Sequence, residues 1–324
     1  MKRKIIFSCD TGIDDALALA YLAAQDECQV IGVTVSYGMG KVENTFRNTK
    51  YILKLLGRED IPVIMGSEAP LSGIVPDYSG GSRFHGMDGI GNVLGEAKPE
   101  EFGKARPGQA VDFILEMIRK YKKDLVWVTS GPLTEIARVW EKDPETAGQV
   151  GAVYVMGGSL AAPGNAGDYR SAVGEANVLL DVPAAAKVLD SSLPVVLVGL
   201  DVTRKTLLRY EDHERLKAIG TKRSLFFYEA LKHYLDAYRQ FHPYLDGCGL
   251  HDPLAAAAAV HPELLTVVPM HMMCVTEGPW TGRTMENVLR CNDREYPMGA
   301  ALFVNVSAFE KEFFGKVEEL LARS

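Results

Sequence analysis

Three carboxylates stand within six residues near the start of the chain, at Asp10, Asp14 and Asp15 in the stretch IIFSCDTGIDDALAL. Asp10 directly follows an apolar run, while Asp14 and Asp15 open an apolar helical pattern. Helix capping is one interpretation, because acids in the first turn of a helix stabilise it. A cation site is the other, because like charges this close repel unless a cation lies between them, and oxygen ligands favour Ca²⁺ or Mg²⁺. The spacing alone leaves both interpretations open.

A fourth carboxylate, Asp252, lies far along the chain in the segment GLHDPLAAAAAV. Asp followed by Pro before an alanine-rich run is typical of a helix start, with Asp252 as the N-cap and Pro253 at the first helical position. Alternatively, this segment brings a fourth carboxylate to the site of the other three, with His251 beside it as an acid or a polar contact. Taken alone, the pattern favours capping.

Two further segments place polar groups between apolar elements. In LVWVTSGPLTEIA a buried strand ends near Ser130, and such a strand end can offer backbone carbonyls to a cation. Later in the chain, Asn165, Glu175 and Asn177 have side chains that can bind hydroxyl groups of a ligand. A solvated loop is the simpler explanation of these three residues.

The elements that must position these residues alternate regularly along the chain. Apolar β-branched runs alternate with helical patterns, as in IIFSC, DDALALAYLAAQD, CQVIGVTVS, VENTFRNTKYILKLLG and IPVIMG. This alternation predicts an α/β fold with an open, mostly parallel, Rossmann-like sheet and helices on both faces. In such sheets ligands bind beyond the carboxyl ends of the strands, which is where Asp10 falls. No linker divides the chain, so we expect a single domain over residues 1–324.

Three segments interrupt this alternation of strands and helices. Residues 70–95 are glycine-rich and weakly periodic, and they predict a long loop of the kind that often forms a lid or a binding loop. Residues 161–176 predict a second loop. An aromatic helical pattern, LFFYEALKHYLDAYRQFH, leads into the segment that contains Asp252, and its aromatic stripe is more typical of a core than of a site.

The composition narrows the classes of partner. Of the 324 residues, 47% are hydrophobic and 24% are charged, which is typical of a soluble globular protein. The formal net charge of −7 argues against nucleic acid as a partner and suits a neutral small molecule, or one held through a cation. Five scattered cysteines without a CxxC pair predict neither disulfides nor structural zinc and indicate the cytoplasm. No apolar stretch is long enough to predict a membrane span.

Taken together, these segments resemble the inosine–uridine preferring nucleoside hydrolase family. The stretch SCDTGIDDA is similar to the family's D-x-D-P-G-x-D-D-A, and TSGPLTEIA, VMGG and GLDVT match its motifs TGPLTNIA, VMGG and GLDVT. GEANVLLDVPAAA resembles AEFNFYVDPEAA, LHDPLAAA resembles the HDP segment, and FHGMDGIG resembles the HGxxGLG loop. The matches occur in the family's order over roughly residues 4–260, so the resemblance is specific although each motif alone is not.

The resemblance implies a nucleoside hydrolase fold and a Ca²⁺-dependent enzyme that hydrolyses the N-glycosidic bond of ribonucleosides to ribose and free base. The metal ligands that it implies are Asp10, Asp15, Asp252 and the backbone carbonyl of Ser130. It makes Asp10 the general base for the attacking water, which the cation makes more acidic. It places Asp14 at the ribose 2′-hydroxyl.

The remaining implied contacts are with the ligand. Ribose hydroxyls are bound by Asn165, Glu175 and Asn177, and His251 lies near the base as a possible proton donor. His85 on the loop lies close to the base, as does Tyr238 on the aromatic helix, with Tyr234 and His242 nearby. The resemblance further implies a ribonucleoside as the small-molecule partner, a homodimer or homotetramer, and a role in purine or pyrimidine salvage.

The chain departs from the family pattern at several positions. Ser8 and Thr11 replace the first Asp and the Pro of the opening motif, and Glu135 replaces the Asn of TGPLTNIA. Met39 stands where the family has an Asn that contacts ribose, and methionine cannot supply that hydrogen bond. The stretch between Asn165 and Glu175 is also longer than usual. These departures motivate two alternatives, a catalytically weak nucleoside- or sugar-binding homologue and a hydrolase of another N-ribosyl compound.

Overall fold

An eight-stranded sheet forms the centre of the molecule, in a computed structural model that describes residues 2–95, 98, 105–166 and 173–323. The near-continuous apolar runs form its strands because both faces are covered by helices. Across the sheet, the strands lie in the order β3 (Val63–Met65), β2 (Cys28–Val35), β1 (Arg3–Cys9), β4 (Leu125–Thr129), β5 (Ala152–Met156), β6 (Val195–Val198), β12 (Gly299–Val304) and β9 (Leu265–Pro269).

The pairing confirms the predicted fold class. Strands β1 to β6 and β12 run parallel, with Ser8 of β1 opposite Thr34 of β2 and Thr129 of β4. The sequence patterns predicted the six strands from β1 to β6. They did not predict the two strands at the far edge, β12 and β9, which pair antiparallel.

Helices cover both faces of the sheet, and two small antiparallel pairs stand apart from it, β7 (Leu207–Leu208) with β8 (Cys248–Gly249) and β10 (Met272–Cys274) with β11 (Thr284–Glu286). The described α-helices are α1 (Ile13–Ala23), α2 (Val42–Leu55), α3 (Ser79–His85), α4 (Ala110–Tyr121), α5 (Thr134–Lys142), α6 (Pro144–Ala147), α7 (Ala176–Leu180), α8 (Val182–Leu189), α9 (Leu200–Thr203), α10 (Tyr210–Ile219), α11 (Lys222–Phe241), α12 (His251–Val260) and α13 (Val306–Ala322). Short 3₁₀ helices span Lys122–Asp124, Pro262–Leu264 and Val288–Arg290. Within the ranges just given, none of the helices has the length and apolarity needed to cross a membrane.

Two hydrophobic cores result, one on each face. The first packs α1, α2, α11, α12 and α13 against the sheet, for example through Leu17, Leu231 and Phe313. The second packs α4, α5, α7 and α8 on the opposite face, for example through Ile114 and Val188. Any cleft at the carboxyl ends of the strands is therefore flanked by α11 on one side and by α7 and α8 on the other.

The segment predicted as a loop over residues 70–95 is only partly irregular, because it contains α3. Buried carboxylates fasten it at both ends. Glu135 accepts a hydrogen bond from the backbone N–H of Ser67, and Asp181 accepts one from Leu71 at 2.8 Å. At the other end, Asp88 accepts four backbone N–H groups between residues 90 and 95, at 2.7–2.9 Å. The second predicted loop, 161–176, lies partly outside the described residues, and its last residue already belongs to α7.

Candidate active site

A cavity of about 1270 Å³ opens at the carboxyl ends of the central strands. Asp10 follows β1 and Ser130 follows β4, so neighbouring strand ends bring them together, as expected for an open parallel sheet. All of the site residues predicted from the sequence line this one cavity. They are Asp10, Asp14, Asp15, His85, Ser130, Asn165, Glu175, Asn177, Tyr238, His251 and Asp252.

Carboxylates form the floor of the cavity. Asp14 and Asp15 in the first turn of α1 meet Asp252 in the first turn of α12, and one oxygen from each lies within 4.8 Å of the other two. Asp10 adjoins them, and all four residues are buried, with at most 6% of any exposed. One oxygen of Asp10, Oδ2, is buried without a hydrogen-bond partner among the described residues. A buried acceptor without a donor is costly, so this oxygen is suited to bind a cation.

Helix capping accounts for little of this cluster. Asp15 Oδ2 does accept the N–H of Gly12 at 2.7 Å, as a capping acid should, while its Oδ1 accepts the hydroxyl of Ser130 at 2.5 Å. Asp252, however, is not the cap of its helix, because α12 begins one residue earlier and Leu250 is its N-cap, without a side-chain hydrogen bond. The capping interpretation of Asp252 is therefore wrong.

Burial and mutual repulsion disfavour the charged forms of these acids. Desolvation, followed by the charges of neighbouring carboxylates, raises the pKa of Asp10 and of Asp252, and it raises the pKa of Asp15 to about 8. Among the described residues that line the cavity, Arg83 is the sole Lys or Arg. Four buried carboxylates, one with an unpartnered oxygen, fit a hard divalent cation such as Ca²⁺ or Mg²⁺.

The backbone carbonyl of Ser130, predicted as a further ligand, faces the same region. The side-chain amide of Asn177 donates to this carbonyl at 2.9 Å and to the carbonyl of Met156 at 3.1 Å. A carbonyl oxygen has two lone pairs, so the one from Ser130 retains an acceptor site after bonding to Asn177. The side-chain oxygen of Asn177 remains able to accept a hydroxyl.

Glu175 and Asn165 border the start of α7. The Glu175 carboxylate caps this helix, accepting the N–H groups of Asn177 at 3.0 Å and Val178 at 3.1 Å, and it also accepts that of Gly158 at 2.9 Å. Asn165 Oδ1 accepts the N–H of Ala176 at 2.9 Å. The longer stretch after Asn165 has therefore not removed this residue from the cavity, although residues 167–172 of it lie outside the described ranges.

A chain of hydrogen bonds joins α11, α12 and α9 behind the acids. The Tyr238 hydroxyl lies 2.6 Å from His251 Nε2, and His251 Nδ1 lies 2.7 Å from the Thr203 hydroxyl. Burial lowers the pKa of His251 to about 4, so its ring is neutral near pH 7. Tyr234, one helical turn before Tyr238, donates its hydroxyl to Asp14 at 3.2 Å.

One member of this chain of hydrogen bonds, Thr203, was not among the residues named from the sequence, whereas Tyr234 was expected near the base. Thr203 ends the GLDVT segment, whose resemblance to the family motif was the only signal for it. Tyr234 had a stronger signal, because residues four apart on a helix share a face and its spacing from Tyr238 is four.

His85 docks the long loop onto α1. Its Nδ1 accepts the N–H of Ile13 at 3.0 Å and lies 3.9 Å from Asp14 Oδ1. An accepting Nδ1 leaves the proton on Nε2, and burial lowers the pKa of the ring. Gly12 makes this contact possible, because a Cβ at that position would lie 2.6 Å from His85 Nδ1.

We therefore expect Gly12→Ala to displace His85 and loosen the loop. Overpacking a buried contact costs about 1–3 kcal/mol, and each 1.4 kcal/mol is tenfold in a local opening equilibrium. Trypsin cleavage after Arg83 should accelerate about tenfold, as followed by mass spectrometry. Gly315→Ala is the matched control, because a Cβ there meets no atom within 4 Å. Equal cleavage rates in the two variants would contradict the proposed docking.

One side of the cavity is an aromatic wall, which we define as Phe84, Tyr238, Phe241 and His242. Phe84 stacks on His242 at a centroid distance of 5.6 Å and meets Tyr238 edge-on at 5.6 Å. The ring of Phe241 lies 5.5 Å from that of Phe84. Flat heteroaromatic groups bind such surfaces through offset or edge-to-face contacts.

The departures from the family pattern have distinct places. Met39 lines the cavity. Ser8 lies within the sheet, where its hydroxyl bonds to that of Thr34 at 2.6 Å and accepts from the Trp127 indole at 2.7 Å. Ser8 therefore braces the strands beneath the acids. Glu135 fastens the long loop, as described above.

Comparison with known proteins gives concordant results. A family model described as "Inosine-uridine preferring nucleoside hydrolase" matches residues 5–311. The pyrimidine-specific ribonucleoside hydrolase RihA of Escherichia coli O7:K1 (strain IAI39 / ExPEC) is 34% identical over 281 residues, which is 87% of this chain and 87% of the relative.

Solved structures agree with this chain over nearly its whole length. The purine-preferring ribonucleoside hydrolase from Gardnerella vaginalis is 38% identical, with a TM-score of 0.93 over 99% of this chain and 100% of its own. The plant nucleoside hydrolase PpNRh1 is 27% identical, with a TM-score of 0.88 over the full length of both chains. The chain belongs to the inosine-uridine preferring nucleoside hydrolase family.

Proposed function

We propose that this protein hydrolyses the N-glycosidic bond of ribonucleosides and releases ribose and a free base. The observation that carries the proposal is one cavity that holds four buried carboxylates at its floor and an aromatic wall at its side. Acids suit a sugar that becomes cationic, and the aromatic wall suits a flat base. Membership of a family whose relatives are named ribonucleoside hydrolases supports the same activity.

The acids have separate roles in this proposal. Breaking the bond between C1′ and the base nitrogen builds positive charge on the sugar, as in other glycosyl transfers. Asp10 accepts the proton of the attacking water, and its buried Oδ2, which has no hydrogen-bond partner among the described residues, supports this role. Asp14, whose Oδ2 is held by Tyr234, accepts the 2′-hydroxyl. The side chains of Asn165, Glu175 and Asn177 bind the remaining ribose hydroxyls.

We propose Ca²⁺ as the cation, with Asp10, Asp15, Asp252 and the carbonyl of Ser130 as its protein ligands. Support comes from the all-oxygen donor set and from the excess of carboxylates over cationic side chains, because Arg83 is the sole Lys or Arg among the described lining residues. When bound, such a cation orients the ribose hydroxyls and lowers the pKa of water in the site.

Departure of the base requires a proton or a hydrogen bond at the leaving nitrogen. Tyr238 and His251, joined at 2.6 Å, form one donor system that faces the cavity. His251 is neutral and its two ring nitrogens bond to Tyr238 and Thr203, so it orients the Tyr238 hydroxyl and does not act as an imidazolium acid. His85 offers its Nε2–H from the opposite, loop side of the base.

The activity is tested by measuring the release of reducing sugar from inosine, uridine, cytidine and adenosine in the presence of Ca²⁺. We expect release from at least one of them. The relatives are named with both pyrimidine and purine preferences, so the panel has to contain both kinds of base. Absence of ribose release from all four nucleosides would refute the proposal.

Met39 favours a second candidate function, a protein that binds a nucleoside or sugar but hydrolyses it weakly. Met39 lines the cavity, and its side chain carries no hydrogen-bond donor and only a weakly accepting sulfur for a ribose hydroxyl. Titration calorimetry that finds tight nucleoside binding without turnover would support this candidate, whereas rapid turnover would exclude it. A third candidate is a hydrolase of another N-ribosyl compound, and it would be supported by cleavage restricted to such compounds.

We also propose the domain organisation, the compartment, the assembly and the biological role of this protein. Residues 1–324 form one domain, and the protein acts in the cytoplasm as a homodimer or homotetramer in purine or pyrimidine salvage. The scattered cysteines support the reducing compartment, since four of the five are buried and none is paired. Light scattering coupled to size-exclusion chromatography tests the assembly, and a monomer at micromolar concentration would contradict it.

A further inference from the structure

The side of the cavity opposite the aromatic wall is lined by aliphatic residues. We call this surface the aliphatic wall and define it by Pro70, Ile74, Pro76, Leu179, Leu180, Val182 and Pro183, all of which line the cavity. We propose that it binds an apolar substituent on the 5′-carbon of the sugar, so that 5′-deoxy-5′-alkylthio ribonucleosides are substrates. The inference rests on the proposed function and specifies the substrate class of the same site.

The two walls stand on opposite faces of the sheet. The aromatic wall belongs to the layer of α11, and Phe84 and Tyr238 pack with the core of that face. The aliphatic wall belongs to the layer of α7 and α8, and Val182 packs with the other core, as does Leu71 at the start of the loop. The acids at the strand ends lie between the walls, and the loop that carries Ile74 and α3 spans from one to the other.

The proposed function gives a bound nucleoside one direction in this arrangement. The 2′- and 3′-hydroxyls occupy one edge of the ribose ring, and the base on C1′ and the 5′-carbon on C4′ project to the two sides of that edge. With the hydroxyls on the acid cluster and the base on the aromatic wall, the 5′-carbon points past Glu175 and Asn177 towards α7 and α8. The aliphatic wall therefore faces the 5′ substituent.

The space and polarity of this side suit an apolar group. The cavity of about 1270 Å³ is larger than the roughly 300–1,000 Å³ that encloses a drug-sized ligand, so an unmodified nucleoside leaves room. Ile74 is 75% exposed and the side chains of Leu179, Leu180 and Val182 are half-buried, which leaves apolar surface uncovered. The polar groups among them include the carboxylates of Asp77 and Asp181, which would repel a 5′-phosphate.

The chemistry of the reaction is unchanged by the substituent. Water adds its oxygen to C1′, the bond from C1′ to the base nitrogen breaks, and the bonding electrons leave with the base. One proton of the water goes to a carboxylate, and the base nitrogen takes up a proton from the donor system or from solvent. The products are a 5-deoxy-5-alkylthio ribose and the free base.

The test compares inosine with 5′-deoxy-5′-ethylthioinosine, which carry the same base. The ethylthio compound gains two buried carbon groups, each worth about a fourfold change in affinity, and loses the hydrogen bond of the 5′-hydroxyl, which is worth about fivefold. Its KM should therefore be about threefold lower than that of inosine, with kcat within about threefold. Inosine 5′-monophosphate should be cleaved at least about a hundredfold less efficiently, because its charge meets Asp77 and Asp181.

Two neighbouring loop positions supply a matched pair of variants. Ile74 lines the cavity, whereas its neighbour Val75, 58% exposed, is not among the lining residues. Ile74→Asp should raise the KM for the ethylthio compound about fivefold relative to that for inosine, and Val75→Asp should leave this ratio unchanged. Both residues are exposed, so neither change threatens folding.

The outcomes separate this inference from the activity on which it rests. Cleavage of inosine with an ethylthio compound that reacts more than tenfold less efficiently would overturn the inference and leave the proposed function intact. Equal effects of Ile74→Asp and Val75→Asp on the KM ratio would overturn it as well. If neither compound is cleaved, the proposed function fails and the inference fails with it.

Discussion

Replacement of Asp10 by asparagine is expected to lower kcat by about a thousandfold or more, with little loss of stability. General acid–base groups contribute about 10²–10⁴-fold to rates, and of the four clustered acids Asp10 is the one with a buried oxygen that no donor among the described residues satisfies. Asparagine keeps the shape of the side chain against Gly38 and Gly131 but cannot accept a proton from water. The carbonyl oxygen of the amide also binds a divalent cation more weakly than a carboxylate does.

The measurement is single-turnover ribose release by Asp10→Asn at saturating nucleoside, with circular dichroism to confirm the fold. Asp26→Asn is the control, because Asp26 is exposed and lies outside the cavity. A loss in kcat with nearly unchanged nucleoside affinity would assign Asp10 to the chemical step. Wild-type turnover in Asp10→Asn would refute the assignment.

In the absence of divalent cations, the free energy of unfolding is expected to fall as the pH rises. Burial and neighbouring charge raise the folded-state pKa of Asp10, Asp15 and Asp252, and Asp15 reaches about 8 from an ordinary value of 3.8. A carboxyl whose pKa is raised by folding binds its proton more tightly in the folded state. Its contribution to stability is therefore complete below pH 4 and is lost as the pH passes through about 8.

Thermal unfolding in EDTA should accordingly give a Tm about 5–10 °C lower at pH 8.5 than at pH 5. Ca²⁺ competes with protons for the same oxygens, so its stabilising effect should be larger at pH 8.5 than at pH 5. Saturation at a hundred times the Kd adds about 2.7 kcal/mol to the free energy of unfolding. A parallel titration with Mg²⁺ identifies the preferred ion.

Asp252→Asn is the decisive variant for this second prediction. It removes one of the repelling carboxylates, so the cation-free protein should become more stable at pH 8.5 while its response to Ca²⁺ disappears. Asp26→Asn should retain the full response. A Tm that is independent of Ca²⁺ at pH 8.5 in the unaltered protein would contradict a cation site at these acids, whatever the activity.

Much of the fold was predictable because local patterns determine it. The strands from β1 to β6 are short apolar runs rich in β-branched residues, and the helices between them have long apolar stripes. The far-edge strands escaped prediction because β12 and β9 gain their partners only from each other and from β6, across large sequence separations. α3 escaped because its glycines disfavour a helix, which contacts with α11 stabilise.

The sequence by itself determined which residues are available for chemistry and, through strand ends, roughly where they lie. It placed Asp10 and Ser130 at the carboxyl edge of the sheet, and the order of its motifs identified the family. Asp14 and Asp15 were ambiguous in the sequence because capping and cation binding require the same residue type at the same position. Local patterns could not distinguish the two.

Only the tertiary structure decided that Asp252 joins the other acids instead of capping its own helix. It also decided that Tyr234 holds Asp14 across 220 positions of the sequence, and that His251 lies neutral between Tyr238 and Thr203. The two walls of the cavity exist only because helices from opposite faces of one sheet extend past its edge. Such contacts depend on how distant segments pack, which no local pattern encodes. They determine both the proton affinity of the acids and the shape of the cavity that a ligand has to fit.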